Sequence, residues 1–161
     1  MIDDIDGRIL SILQNDARTS NAEIARRLAM APSAILERIR KLETRGLIDG
    51  YEARLNPKAL DMGLLAFIYV RADERIGSRV IGDELAAFPE VQEVHHIAGE
   101  DCYLLKVRVA DTNALSDLLR QRLGPIDAIR STRTTIVLST IKETAQIPLP
   151  STAKEDLSDA G

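Results

Sequence analysis

The chain has 161 residues, a length that fits one ordinary domain or two small ones. Its composition, 45% hydrophobic and 29% charged with a single cysteine, Cys102, excludes an internal disulfide, and no apolar run is long enough for a membrane span. The net charge of −4 is uneven, because residues 1–60 carry 10 Lys and Arg against 9 Asp and Glu, whereas the remainder carries 11 against 16. The acidic N-terminus lacks the basic start of a secretory signal, so we expect a cytoplasmic protein with a locally basic face.

The chain begins with two predicted helices. Apolar residues recur at helical spacing within residues 4–14, which predicts the first helix. After a polar break, Ser20 and Glu23 have the Ser-x-x-Glu spacing of a capping box, which satisfies free amides at a helix start. The second helix is therefore expected over residues 21–29.

A third helix is predicted to follow almost at once. Pro32 suits its first turn, where the missing amide hydrogen has no partner to lose. Ile35, Ile39 and Leu42 recur at helical spacing and predict the buried stripe, and Gly46 stands where a left-handed helix end is favoured. The opposite, outer face is composed of Ser33, Ala34, Glu37, Arg38 and Lys41.

The rest of the chain alternates between strand and helix patterns. The predicted elements are a strand over 64–70, a helix over 78–88, strands over 91–98 and 102–109, a helix over 113–123 and a strand over 128–139. This β-α-β-β-α-β order is that of ferredoxin-like folds, in which two helices cover one face of an antiparallel sheet. The other, uncovered face predicts an interface between copies, and therefore at least a dimer.

These patterns divide the chain into three parts of an α+β protein. Residues 1–60 are predicted as a winged-type helix-turn-helix domain, with residues 47–55 as a short strand or a connector. Residues 61–143 are predicted as a ferredoxin-like domain for effector binding and oligomerisation. Residues 144–161 are rich in Pro, Ser, Thr, Ala and acidic residues without apolar periodicity, and are predicted to be a flexible tail.

The third helix is expected to read double-stranded DNA. A helix-turn-helix places its second helix in the major groove, with N-terminal residues over base edges and flanking cations on phosphates. Candidates for base contact are Ser33, Ala34, Glu37 and Arg38, and candidates for phosphate contact are Arg26, Arg27, Arg40, Lys41 and Arg45. Each of these cations alone is equally compatible with a solvated surface. Glu37 could accept from a cytosine amino group or pair with Lys41 one turn later.

Several stretches resemble the leucine-responsive/AsnC (Lrp/AsnC) family of prokaryotic transcription regulators. In the first 60 residues they are DIDGRIL, ARTSNAEIARRL, APSAILERIRKLE and GLIDGYEARLNP, and later EVHHIAGEDCYLLKVRV and RSTRTTIVLSTIK. The resemblance covers about residues 2–143. It implies a promoter-binding regulator whose dimers associate into octamers or other closed assemblies, with an amino acid or related metabolite bound between regulatory domains.

Two positions depart from the pattern of that family. Ala31 precedes the proline of the third helix where many relatives have Ser, and the lost hydroxyl cap should cost about 1 kcal/mol. Cys102 stands where the family often has Asp in a G-x-x-D pattern, which leaves Glu100 or Asp101 to meet the ammonium group of an effector.

The loop that contains Gly99 is the candidate effector site. A glycine-containing hairpin end offers backbone amides to a carboxylate, and acidic side chains can pair with an ammonium, so an α-amino acid satisfies both. The alternative is a plain hairpin turn. The candidate contacts are Gly99, Glu100, Asp101, Cys102, Tyr103 and, on the last strand, Thr134.

The sequence gives no indication of a metal, a cofactor or a catalytic residue. His95 and His96 are adjacent on a predicted strand, so they point to opposite faces and cannot chelate one ion together. An enzyme remains an alternative, since haem-precursor decarboxylases resemble this two-domain layout, as does a metabolite-binding module without DNA affinity. Against an enzyme, we find no nucleophile and base pair, glycine-rich phosphate loop or metal-ligand cluster.

Overall fold

The computed structural model describes residues 2–75 and 78–149, and the chain divides into two compact units. Among these residues, the first unit comprises those up to Arg54 together with residues 143–149, and the second comprises those from Leu55 to Lys142. The boundary therefore lies near residue 55 and not at residue 60. Residues 143–149, the C-terminal segment, belong to the first unit.

The first unit contains the three predicted helices. They are α1 (Asp4–Asn15), α2 (Asn21–Leu28) and α3 (Pro32–Thr44). Their apolar stripes meet in one core in which Ile9, Ile24, Ile35 and Leu42 are at most 1% exposed. Burial of these side chains supplies the main stabilisation of helices that are too short to persist alone.

The turns between these helices are tight. Ala29 ends α2 in the left-handed region with φ of 52°, and Gly46 follows α3 with φ of 67°, as predicted. Residues 48–56 adopt no regular structure, so the segment is a connector and not a strand. A strand needs a hydrogen-bonded neighbour, and the described part of this unit contains helices only, with no paired wing.

The second unit has the predicted β-α-β-β-α-β order. After a 3-10 turn at Pro57–Leu60, its elements are β1 (Leu64–Ala72), α4 (Val80–Ala86), β2 (Val91–His96), β3 (Tyr103–Val109), α5 (Thr112–Asp117) and β4 (Ile129–Ile136). The helix after β3 continues beyond α5 as a π-helix over Leu118–Leu123. The strands form one antiparallel sheet in the order β2-β3-β1-β4, which confirms the ferredoxin-like fold.

Both helices cover the same face of this sheet. Alternate residues of β3, from Tyr103 to Val109, are buried and share a core with Ile81 and Leu85 of α4 and Leu115 of α5. The opposite face is not purely apolar. It carries half-buried Phe67, Tyr69 and Leu104 beside charged Lys106 and Arg133.

The C-terminal segment is attached to α1, which corrects the prediction of a flexible tail for residues 144–149. Gln14 Nε2 donates to the Ile147 carbonyl at 3.2 Å, and the Ile147 amide donates to Gln14 Oε1 at 2.9 Å. Leu149 packs against the core of the first unit. A side-chain amide can pair with a peptide group in this way without any apolar periodicity, so the sequence carries no pattern that would indicate this contact. Residues 150–161 lie outside the described residues.

Candidate nucleic-acid interface and effector loop

The start of helix α3 is exposed and lightly capped. Ala31 occupies the N-cap position without a side-chain hydrogen bond, and Pro32 follows at the first helical position. Ser33 is exposed and Ala34 is half-buried. The small side chains of this first turn are therefore accessible to a partner, whereas the Ala34 and Ile35 amides already donate to the Ala31 carbonyl.

One open groove of about 620 Å³ collects most of the predicted DNA contacts. Its lining includes Ala34, Glu37, Arg38, Arg40, Lys41 and Arg45. Ser33, Arg26 and Arg27 do not line it, and the two arginines lie on α2. Side chains from about three turns of α3 thus share one concave surface, on which four basic residues lie beside the acids Asp6 and Glu37.

The two arginines of α2 share one carboxylate. Arg26 binds Glu23 through two hydrogen bonds of 2.9 and 2.7 Å, and Arg27 adds a third of 2.8 Å. These bonds, Arg26 first, lower the pKa of Glu23 to about 2. Ser20 Oγ accepts from the Glu23 amide at 3.2 Å, so the serine half of the predicted capping box is confirmed. The Glu23 carboxylate, which would form the other half of the capping box, binds the two arginines instead.

On the outer face of α3, Glu37 pairs with Lys41 at 2.7 Å, which is one of the two alternatives left open for this acid. The Lys41 hydrogen bond lowers the pKa of Glu37. Arg40 is exposed and makes no ion pair with any residue that the structure describes. Arg45 is exposed at the C-cap of the helix.

Arg38 departs from the expected outward position. Its Nη1 donates to Asp3 Oδ2 and to Asp6 Oδ1, each at 2.7 Å, and its side chain is 29% exposed. Hydrogen bonds to Asp3 and then Asp6 raise the pKa of Arg38. Arg38 thus joins α3 to the start of α1. The charge pattern along the outer face of α3 did not predict this contact.

The outer part of the candidate effector loop consists of three residues. Gly99 has φ of +132°, which an L side chain rarely adopts, and Glu100 is exposed. Asp101 pairs with Arg133 of β4 at 3.1 Å. The Arg133 guanidinium also lies 4.0 Å from the centre of the Tyr69 ring, in cation–π geometry. Arg133, and not the predicted Thr134, is the residue of β4 that lies beside Tyr69, because neighbouring residues of a strand face opposite sides of the sheet.

Cys102 lies inside the loop and not on its surface. Its thiol donates to the Ala72 carbonyl at 3.2 Å, and its amide donates to the Val70 carbonyl at 2.8 Å. Thr134 pairs in register with Ile68 on the helix-covered side of the sheet. The side chains of Cys102 and Thr134 therefore do not lie beside Asp101, and the predicted effector contacts are divided between the two sides of the sheet.

Tyr103 belongs to the core, contrary to the expectation that it contacts an effector. It is 2% exposed, and its hydroxyl donates to Glu74 Oε2 at 2.5 Å. Burial and this hydrogen bond raise the pKa of Tyr103 to about 12. The other Glu74 oxygen accepts from Ser78 Oγ at 2.6 Å and from the Ile81 amide at 3.1 Å. Burial opposes ionisation of Glu74, yet these donors together lower its pKa. Glu74 therefore anchors the start of α4.

The two histidines point to opposite faces of β2, as predicted. His95 contacts Glu93 at 3.1 Å, whereas the His96 ring lies 5.2 Å from that of Tyr103. Within residues 2–75 and 78–149, no three His, Cys, Asp or Glu side chains are grouped to hold a metal ion. No helix in the same ranges is long and apolar enough to cross a bilayer.

Both units match known domain families. Residues 2–43 match the AsnC-type helix-turn-helix domain, and residues 65–147 match the Lrp/AsnC ligand binding domain. The leucine-responsive regulatory protein of Salmonella typhimurium is 37% identical over 150 residues, which cover 91% of this chain and 90% of that protein.

Solved structures agree with these matches. A transcriptional regulator from Neisseria meningitidis in complex with L-Met superposes with a TM-score of 0.86 at 32% identity, covering 92% of this chain and 97% of that one. A feast or famine regulatory protein from M. tuberculosis complexed with L-methionine gives 0.83 at 36% identity, covering 91% and 99%. The chain therefore belongs to the Lrp/AsnC family of transcription regulators, with an AsnC-type helix-turn-helix and an Lrp/AsnC ligand binding domain.

Proposed function

We propose that the chain binds specific promoter sequences through helix α3 and that an amino acid bound to its second unit modulates this binding. The observation that carries the first part is the groove along α3, where Arg40, Lys41 and Arg45 of the later turns line the same surface as Ala34 of the exposed first turn. In this geometry Ser33 and Ala34 face base edges. The cations of α2 and of the later turns of α3 meet phosphates on either side.

The test is fluorescence anisotropy with a labelled duplex from upstream of the gene and with a shuffled duplex, over a series of salt concentrations. The chain should prefer the natural duplex, and log K should fall linearly with log salt. Arg40→Ala should flatten that slope by about 0.9, the contribution of one phosphate contact. Arg120→Ala, on the π-helix of the second unit, removes the same charge and should leave the slope unchanged. Equal, weak binding to both duplexes, with and without amino acids, would refute the DNA-binding proposal.

For the effector, the pair of Asp101 and Arg133 is the chemically suitable feature. An α-amino acid carries an ammonium that can replace Arg133 beside Asp101 and a carboxylate that can replace Asp101 beside Arg133. The exposed Gly99 backbone lies next to this pair along the loop. Methionine is the first candidate, because two structural relatives were solved with it.

Titration calorimetry with each of the twenty amino acids tests this proposal on the full chain. At least one should bind, and both Asp101→Asn and Arg133→Gln should weaken it, whereas Lys106→Gln on the same sheet should not. Absence of heat with all twenty would exclude an amino-acid effector. Binding that survives both changes would place the effector elsewhere.

We further propose that the chain works as a homo-oligomer in the cytoplasm, where promoter DNA lies, without enzymatic activity. The half-buried Phe67, Tyr69 and Leu104 on the uncovered sheet face support a dimer, from which octamers or other closed assemblies are built. Effector binding would then change the assembly or the orientation of the helix-turn-helix units through linkage. Analytical ultracentrifugation with and without methionine measures this. A monomer under both conditions would contradict it.

A further inference from the structure

The cluster formed by Arg38, Asp3 and Asp6 links the candidate reading helix to helix α1. One guanidinium nitrogen, Nη1, donates to a carboxylate oxygen of each acid at 2.7 Å. Asp6 is only 8% exposed, and among the described residues no other charged residue is buried. A buried carboxylate requires a partner, so this pair fixes the place of the Arg38 side chain.

The two acids are themselves well placed to hold an arginine. Asp3 Oδ1 accepts the Asp6 amide at 2.7 Å and caps α1, which leaves Oδ2 for Arg38. The positive end of the α1 dipole stabilises both carboxylates. Asp3 therefore caps the N-terminus of α1 with one oxygen and binds Arg38 of α3 with the other, so the two helices cannot shift against each other without breaking the cap or the ion pair.

We infer that Arg38 is a positioning residue for DNA recognition and not a DNA contact. Its Nη1 is committed to α1, and through Asp3 and Asp6 it sets how α3 presents Ser33 and Ala34 to a base edge. This inference rests on the proposed DNA-binding function and assigns to Asp3 and Asp6 a role in sequence discrimination.

The two roles predict opposite effects of neutralising Asp6. If Arg38 contacted DNA, Asp6→Asn would free a cation and remove a competing negative charge, so affinity and salt slope would both rise. If Arg38 positions α3, affinity for the natural duplex should fall about 10-fold, equivalent to one lost base contact. Affinity for a shuffled duplex should change less than about 2-fold, with the salt slope unaltered.

The experiment measures specific and shuffled duplex binding over a salt series for the full chain and for Asp6→Asn, Asp3→Asn and Asp4→Asn. Asp3→Asn keeps a good N-cap and removes only the charge that faces Arg38, so it should fold and show a smaller loss of the same kind. Asp4→Asn removes one charge from the same turn and serves as the control. Circular dichroism at the assay temperature reports whether each variant is folded.

The outcomes separate this inference from the proposed function. A parent chain that fails to prefer its natural duplex refutes the function itself. A parent that discriminates, with Asp3→Asn and any folded Asp6→Asn binding as tightly as Asp4→Asn or tighter, overturns the positioning role. Lower melting temperature with unchanged discrimination would reduce Arg38 to a purely structural residue and also overturn it.

Discussion

The contact between Gly82 of α4 and the Tyr103 ring of β3 is predicted to make a helix-favouring substitution harmful. A Cβ at position 82 would lie 2.9 Å from Cε1 of Tyr103 and 3.4 Å from its Cζ. Replacing glycine by alanine inside a helix normally gains about 1 kcal/mol. Overpacking a filled core costs about 1 to 3 kcal/mol. The ring cannot retreat freely, because its hydroxyl is held by Glu74.

Gly82→Ala is therefore expected to destabilise the chain by about 1 kcal/mol net. Urea unfolding followed by circular dichroism at fixed protomer concentration measures this. In a Tyr103→Leu background, which lacks Cε1 and the hydroxyl, the same change should instead stabilise, because only the helix preference remains. Gly63→Ala, whose Cβ would meet nothing closer than 3.8 Å, is the control. Stabilisation of the parent chain by Gly82→Ala would show that the ring contact does not constrain this position.

Three further changes test other local features. Ala31→Ser should supply the missing N-cap of α3 and raise the free energy of unfolding by about 1 kcal/mol, and an unchanged urea midpoint would contradict that. Glu23 has its folded pKa lowered to about 2 from 4.5, so its contribution to stability is present above pH 4.5 and is lost as pH falls towards 2. Thermal melts of Glu23→Gln and parent should converge over that range, and a constant difference would argue against the arginine pairs. Gln14→Ala should increase hydrogen exchange at the Ile147 amide, whereas retained protection would show that the C-terminal segment is held by other contacts.

Most of the fold was predictable because its signals are local. The apolar stripes of the three N-terminal helices, the left-handed turn at Gly46 and the β-α-β-β-α-β order all follow from spacing and turn chemistry. Helix α4 begins at Val80, two residues later than predicted, where Glu74 accepts the Ile81 amide from outside the helix. The π-helix was not predictable, since its amide-to-carbonyl bond from Gly124 to Leu119 leaves the apolar periodicity almost unchanged.

The candidate site was less predictable because its side chains are arranged by contacts distant in sequence. Arg38 meets acids that lie more than thirty positions away, so its pairing with Asp3 and Asp6 could not be read from the charge pattern of α3, although its side chain still lines the groove. Tyr103 follows the Gly99 loop in sequence, yet strand alternation turns it into the core. The same alternation, applied to β4, would have indicated Arg133 as the residue on the open face next to Tyr69.

The ion pairs of the first unit also bear on how it would bind DNA. Arg26 and Arg27 share Glu23, and Lys41 pairs with Glu37, so a phosphate that binds these cations must use their remaining N–H groups or displace a carboxylate. In either case the acid stays close and repels the phosphate, which reduces the gain that counterion release gives to an unpaired cation. Residues 1–60 carry only one more basic than acidic residue, so charge alone provides little affinity. Under the proposed function, discrimination then comes from base edges at α3, and the proposed oligomer adds affinity by engaging one duplex through several units.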